Sequence, residues 1–214
     1  MGRCTINCEI LKIFYCEEVP KPYVPNDAWS KRAAKEGYRA RSVFKLQELD
    51  EKFHLIRQGM SVLDLGAAPG SWLQYVSKAI GPTGHALGLD LKEIEEIDGN
   101  VKTTMCDITD QKAVSSALEA AGMSHVDLVL SDLAPNTSGI KDVDQWKSIE
   151  LSQAVSETAK KFLKKGGMLV IKIFRGKDFD AFLSEFKRDF ANVKIVTVKA
   201  SRDRSREVYL IGRR

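Results

Sequence analysis

The chain has 214 residues, 43% of them hydrophobic and 29% charged, enough for one substantial soluble core and too short for two ordinary domains. No apolar run approaches the roughly 20 residues of a membrane helix. The N-terminal apolar patch is broken by Glu9 and Lys12 with no cleavage site after it, so no signal peptide is expected and the location is cytoplasmic.

Residues 1–26 form an extension of mixed composition ending in P-K-P-Y-V-P, which cannot continue as a regular helix. Cys4, Cys8 and Cys16 match no common zinc-finger spacing and have no histidine nearby, so they read as free thiols and no metal site is expected. From residue 27 the pattern becomes regular. Asn26 or Asp27 can cap a short helix that Gly37 stops, and Val43, Leu46, Leu49 and Phe53 recur at helical spacing in a second one. Strands and helices then alternate: strand 61–65, helix 71–79, strand 85–89 ending at Asp90, strand 101–105 ending near Asp107, a helix capped by Asp110 through Ala121, and strand 126–131 ending at Asp132. A long helix over about 143–164, stopped by Gly166-Gly167, precedes strand 168–174, a helix over 179–190, and two last strands, 193–198 and 207–211. This is an α/β chain with a mostly parallel sheet, helices on both faces, and an antiparallel last strand, because no helix separates the final pair.

The stretch V-L-D-L-G-A-A-P-G-S-W (62–72) predicts a strand, a tight turn and a helix start. Gly66 and Gly70 are four apart, so the turn is neither G-x-G-x-x-G nor a P-loop, and Pro69 removes an N–H that a phosphate cradle would need. A nucleoside with an amino-acid tail, S-adenosylmethionine, fits such a turn. Asp90, at the next strand end, can accept both ribose hydroxyls, and Asp107 can take the adenine amino group; each also suits an ordinary cap or turn. Trp72 alone reads as a core aromatic.

Several polar residues break the pattern. Lys172 lies inside the buried strand M-L-V-I-K-I-F, where an unpaired ammonium is costly, so it either snorkels at a sheet edge or has partners and a task. Asp132 closes a central strand, Glu207 opens the last one, and Lys45 sits on the second helix, where solvent exposure is the simpler expectation. Two basic clusters complete the picture. One comprises Lys31, Arg32, Lys35, Arg39, Arg41 and Lys45, and the other S-R-D-R-S-R at 201–206; both fit either solvated faces or a polyanionic partner.

The segments R-S-V-F-K-L, V-L-D-L-G-A-A-P-G-S-W, S-D-L-A-P-N-T-S-G, V-I-K-I-F-R-G and S-R-D-R-S-R-E-V-Y-L, in this order over about 27–214, resemble the FtsJ/RrmJ family of RNA ribose 2′-O-methyltransferases. Ser71 departs from the glycine usual in bacterial members, and the leader has no counterpart. The resemblance implies a Rossmann-like S-adenosylmethionine-dependent methyltransferase fold. It implies a catalytic tetrad of Lys45, Asp132, Lys172 and Glu207, with cofactor contacts at Gly70, Trp72, Asp90, Asp107 and Asp132. Lys172, held by Asp132 and Glu207, would act as base or as a cation on the developing alkoxide, with Lys45 orienting the hydroxyl or a phosphate. The implied substrate is RNA, a uridine in the A-loop of large-subunit ribosomal RNA, methylated by a cytoplasmic monomer that contacts no membrane. A tRNA anticodon-loop enzyme and a non-catalytic RNA-binding ribosome-assembly factor are the alternatives. A nicotinamide oxidoreductase is disfavoured by the missing G-x-G-x-x-G and by Pro69.

Overall fold

Short apolar runs and amphipathic runs alternate along the chain, and they build a sheet with helices on both faces. The computed structural model describes residues 28–97, 99–135, 138–201 and 205–214; the leader with its three cysteines, the cap candidates Asn26 and Asp27, and residues 202–204 lie outside them. In chain order the elements are α1 (Ala28–Lys35), α2 (Val43–Phe53), β1 (Ser61–Leu65), α3 (Ser71–Ile80), β2 (His85–Asp90), β3 (Val101–Met105) and α4 (Gln111–Ala121). They continue with β4 (Val126–Ser131), α5 (Lys141–Phe162), β5 (Leu163–Phe174), α6 (Phe179–Asp189), β6 (Ala191–Val196) and β7 (Glu207–Arg213).

The strand order is β3-β2-β1-β4-β5-β7-β6. β1 to β5 run parallel, and β7, inserted between β5 and β6, is antiparallel to both. The final pair is therefore antiparallel as expected, although β6 itself runs in the direction of β5.

Side chains alternate between faces at the period of two that a pleated strand imposes. Leu63, Val129, Leu169, Ile171 and Leu210 join α4, α5 and α6 in one core cluster. Val62, Leu128, Val170, Tyr209 and Ile211 join α2 and α3 in the other. The same alternation sets Asp64, Lys172 and Glu207 on the α2/α3 face. Helix ends follow local chemistry: the Asp110 carboxylate accepts from Lys112 N at 2.9 Å and Ala113 N at 3.1 Å, capping α4.

The differences from the sequence reading with structural consequences are at the α5–β5 junction and at β6. α5 ends at Phe162, short of the glycine pair, because Leu163 turns extended (φ −67°, ψ 138°) and pairs with Val126 while its side chain enters the core. The glycines serve the strand instead: Gly166, at φ 80°, bends the chain through a register shift, and a Cβ on Gly167 would meet Lys164 O at 2.9 Å. The other difference is β6, which begins at Ala191 and stops at Val196. Beyond it Lys199 N donates to Glu48 Oε2 at 2.7 Å, and Ala200 packs beside Ala33, Val43 and Phe44, drawing the chain toward α1 and α2. Among the described residues no helix is long and apolar enough to cross a membrane.

Candidate active site

Chain order reverses between β1 and β4, so the connections leaving their carboxyl ends diverge and open a crevice. A cavity of about 940 Å³ lies there. Gly66 and Ala68 after β1, Asp90 at the end of β2, Asp107 after β3, Asp132 after β4 and Lys147 of α5 contribute to its lining. Asp90 accepts from Ala68 N at 3.0 Å and Lys92 N at 2.9 Å, which fixes the carboxylate and leaves it lone pairs for a ligand. Asp107 accepts from the Thr109 hydroxyl at 2.7 Å and Thr109 N at 2.9 Å, and these bonds hold its carboxyl below the usual range.

The glycine turn is packed from both sides. Gly66, at φ 81°, lies under Leu133, whose Cδ2 would meet a Cβ there at 2.1 Å. Gly70, at φ 100°, is buried, and a Cβ on it would meet Arg39 Nη1 at 2.9 Å and Ile94 and Ile97 at 3.0 Å. Gly70 thus supports the turn from behind rather than lining the cavity. Trp72 is buried as well: its indole N–H donates to Ser42 O at 2.8 Å, and its ring lies 6.3 Å from that of Tyr209. It lines a narrow recess together with Ser42, Asp64, Ser71 and Asp132.

Asp64, which is not among the expected site residues, is the most unusual group in that recess. Its Oδ2 is buried and has no hydrogen-bond partner among the described residues. Burial, reinforced by the charges of Asp132 and Asp90, pushes its carboxyl well above the usual range. A cation entering the recess would relieve both conditions.

The four residues of the expected tetrad converge from α2, β5, β7 and the end of β4. Lys45 and Lys172 are only 8% and 7% exposed, so Lys45 is no solvated helix position and Lys172, on a central strand, is no snorkelling edge residue. Lys172 Nζ lies 2.9 Å from Asp132 Oδ1 and also donates to the Asp132 carbonyl. The same Oδ1 accepts from the Tyr209 hydroxyl at 2.6 Å, with Lys45 Nζ 3.7 Å away. Lys45 forms its closer ion pair, 2.7 Å, with Glu207, whose carboxylate also accepts from the Ser201 hydroxyl. Glu207 therefore anchors Lys45, while Lys172 is anchored by Asp132. This differs from the expectation that both acids would hold Lys172.

Burial alone would raise the Asp132 carboxyl, but the Lys172 and Lys45 ammoniums, with the Tyr209 hydrogen bond, outweigh it and hold the carboxyl below the usual range. Glu207 behaves alike, with Lys45 outweighing burial. Tyr209 is driven well above the usual phenol range, first by burial and then by the two carboxylates, so it stays a donor.

Part of the first basic cluster is committed internally. Arg39 donates to Pro69 O at 3.1 Å and to Glu95 O and Glu96 O at 2.8 Å, tying the glycine turn to the segment after β2. Arg41 donates to Ala200 O at 2.9 Å. Lys31, Arg32 and Lys35 stay exposed on α1.

With this geometry in view, the comparisons with known proteins are specific. The profile of the FtsJ-like methyltransferase family matches residues 38–214. The chain is 45% identical over 188 residues to ribosomal RNA large subunit methyltransferase E of Methanothrix thermoacetophila, covering 88% of this chain and 72% of that one. It is 43% identical over 187 residues to the protein of the same name from Pseudomonas fluorescens, covering 87% and 89%. A Plasmodium falciparum crystal structure, described as a ribosomal RNA methyltransferase and 27% identical, matches with a TM-score of 0.72 over 82% of this chain and 97% of that one.

Proposed function

Because this chain belongs to the FtsJ-like methyltransferase family, we propose that it methylates a ribose 2′-hydroxyl of RNA with S-adenosylmethionine, and that its target is a uridine in the A-loop of large-subunit ribosomal RNA. One observation carries this reading: Lys45, Asp132, Lys172 and Glu207 form a buried charged cluster beside the cavity at the carboxyl ends of β1 and β4. The names of the Methanothrix and Pseudomonas relatives favour ribosomal RNA over tRNA. We assign the activity to residues 27–214, with 1–26 an appendage, and expect a cytoplasmic monomer.

The residues present fit S-adenosylmethionine. Its amino-acid tail carries an ammonium, which suits the unpartnered buried Asp64 oxygen, while Asp90 and Asp107 have acceptors for the ribose hydroxyls and the adenine amino group. When bound, the cofactor supplies a methyl group already activated by its sulfonium.

The rest falls to the chain. A ribose hydroxyl is a poor nucleophile, so the protein must place it and stabilise the negative charge that develops on its oxygen. Lys172 presents its ammonium to that oxygen while the hydroxyl proton passes to solvent, and Asp132, itself fixed by Tyr209, prevents the ammonium from swinging away. Lys45, braced by Glu207, directs the hydroxyl or the adjoining phosphate.

The test is incubation of the full chain with methyl-labelled S-adenosylmethionine and either undermethylated large ribosomal subunits or tRNA, followed by digestion to nucleosides. Label in 2′-O-methyluridine from the ribosomal arm is expected. Label in the tRNA arm alone would move the substrate, and RNA binding without label in either arm would indicate the assembly-factor alternative.

A further inference from the structure

Three apolar side chains stand in solvent where α5 begins: Ile140, Val143 and Trp146. Val143 and Trp146, three apart, are neighbours on the first turns, and Ile140 precedes them at the N-cap. Trp146 is 54% exposed, and among the described residues its indole makes no ring contact or hydrogen bond, unlike the buried Trp72 or Trp29, which packs on Phe44 at 5.2 Å. A large aromatic left in water on a surface turn is costly unless something covers it.

Its position says what. Lys147, the next residue, and Glu150, one turn on, line the cavity, so the turn of α5 that carries Trp146 borders the candidate active site. The segment Arg175-Gly176-Lys177 leaves the end of β5 and runs against the same turn of α5: a Cβ on Gly176 would meet Gln145 Cδ at 2.5 Å. Arg175 and Lys177 are both exposed there, and Arg175 N donates to Arg206 O at 2.9 Å, joining this segment to the start of β7. The stripe is too small for a stable protein partner, which needs about 800 Å² per side, whereas one indole face matches one nucleobase.

We propose that Trp146 is a stacking platform for an unpaired base of the substrate RNA next to the target ribose, with Arg175 and Lys177 on the neighbouring phosphates. This rests on the RNA methyltransferase reading above and adds a substrate-holding residue to it. The exposed acid Asp142 and the cavity-edge Glu150 flank the same turns, so the indole's contribution is non-ionic and must persist at high salt.

The experiment compares the wild type, Trp146→Ala, Trp146→Phe and Arg175→Ala/Lys177→Ala as full chains. KM is measured for undermethylated large subunits at low and high salt, and tryptophan fluorescence is recorded with a single-stranded oligouridylate. Trp146→Ala should raise KM about five- to a hundredfold at both salt concentrations, leave cofactor affinity unchanged and abolish most base-induced quenching. Trp146→Phe should recover most of the KM, while the defect of the arginine–lysine pair should shrink as salt rises. Methylation with an unchanged KM in Trp146→Ala would overturn the stacking role while leaving the RNA reading intact. So would a change of oligomeric state in Trp146→Ala without an RNA effect. A wild type that methylates no RNA would overturn both.

Discussion

Replacing Lys172 with methionine keeps an unbranched side chain one atom shorter and removes the ammonium with its hydrogen bonds. Asp132 then loses an ammonium at 2.9 Å inside a core where burial alone would raise its carboxyl. Removing one member of a buried pair costs about 3–5 kcal/mol. Asp132 keeps the Tyr209 hydroxyl at 2.6 Å and Lys45 at 3.7 Å, so the lower end applies, about 3 kcal/mol. For a chain of this size that lowers Tm by about 6–12 °C. Adding Asp132→Asn should recover part of the loss, because the orphaned charge goes with it. The catalytic effect is separate: without the cation at the developing alkoxide, kcat should fall about a hundred- to a thousandfold. Thermal denaturation and single-turnover methyl transfer measure the two, and calorimetric titration with S-adenosylmethionine checks that the cofactor still binds. Turnover within tenfold of wild type, or an unchanged Tm, would refute the reasoning.

The pH response should come from the acids. Asp132 and Glu207 are held below their unfolded values of about 3.9 and 4.3, so their stabilisation is complete above those values and is lost as pH falls through the folded ones. Lys45→Met removes a cation from both acids and should move the acid-unfolding midpoint to higher pH by circular dichroism; an unmoved midpoint would count against the ion pairs. Asp64 has the opposite sign. Its raised carboxyl favours the fold when protonated and becomes a cost as pH climbs above the unfolded value of about 3.9. Asp64→Asn should therefore raise the Tm of the free protein at neutral pH by a few degrees, about 1 kcal/mol, while weakening S-adenosylmethionine binding in calorimetry. A lower Tm with unchanged binding would remove Asp64 from the cofactor site.

Much of this site was legible because strands and turns announce themselves locally. β1 and β4 fall where their apolar runs begin and end, and Asp110 and Gly122 bracket α4 by ordinary capping chemistry. Lys172 is visible as a charge in an apolar run, and V-L-D-L carries the same signal at Asp64. Tyr209 was missed although it stands two residues after Glu207, which in a strand means the same face. What sequence could not supply was partnership. Nothing local says that β7 enters between β5 and β6, that Glu207 meets Lys45 rather than Lys172, or that Arg39 spends its guanidinium on three main-chain carbonyls.

The insertion of β7 also bears on when the enzyme can exist. During synthesis the ribosome releases β5 and β6 first, and neither can pair with the other, because the strand that separates them has yet to appear. Glu207 and Tyr209 arrive on that strand, so Lys45 waits for its closest counter-charge and Asp132 for its hydroxyl donor. Contacts between such distant parts of a chain form late. A nascent chain that has already built β1 to β4 can hold the crevice yet lack the Lys45–Glu207 and Asp132–Tyr209 contacts, so on the proposed mechanism methylation waits until β7 docks.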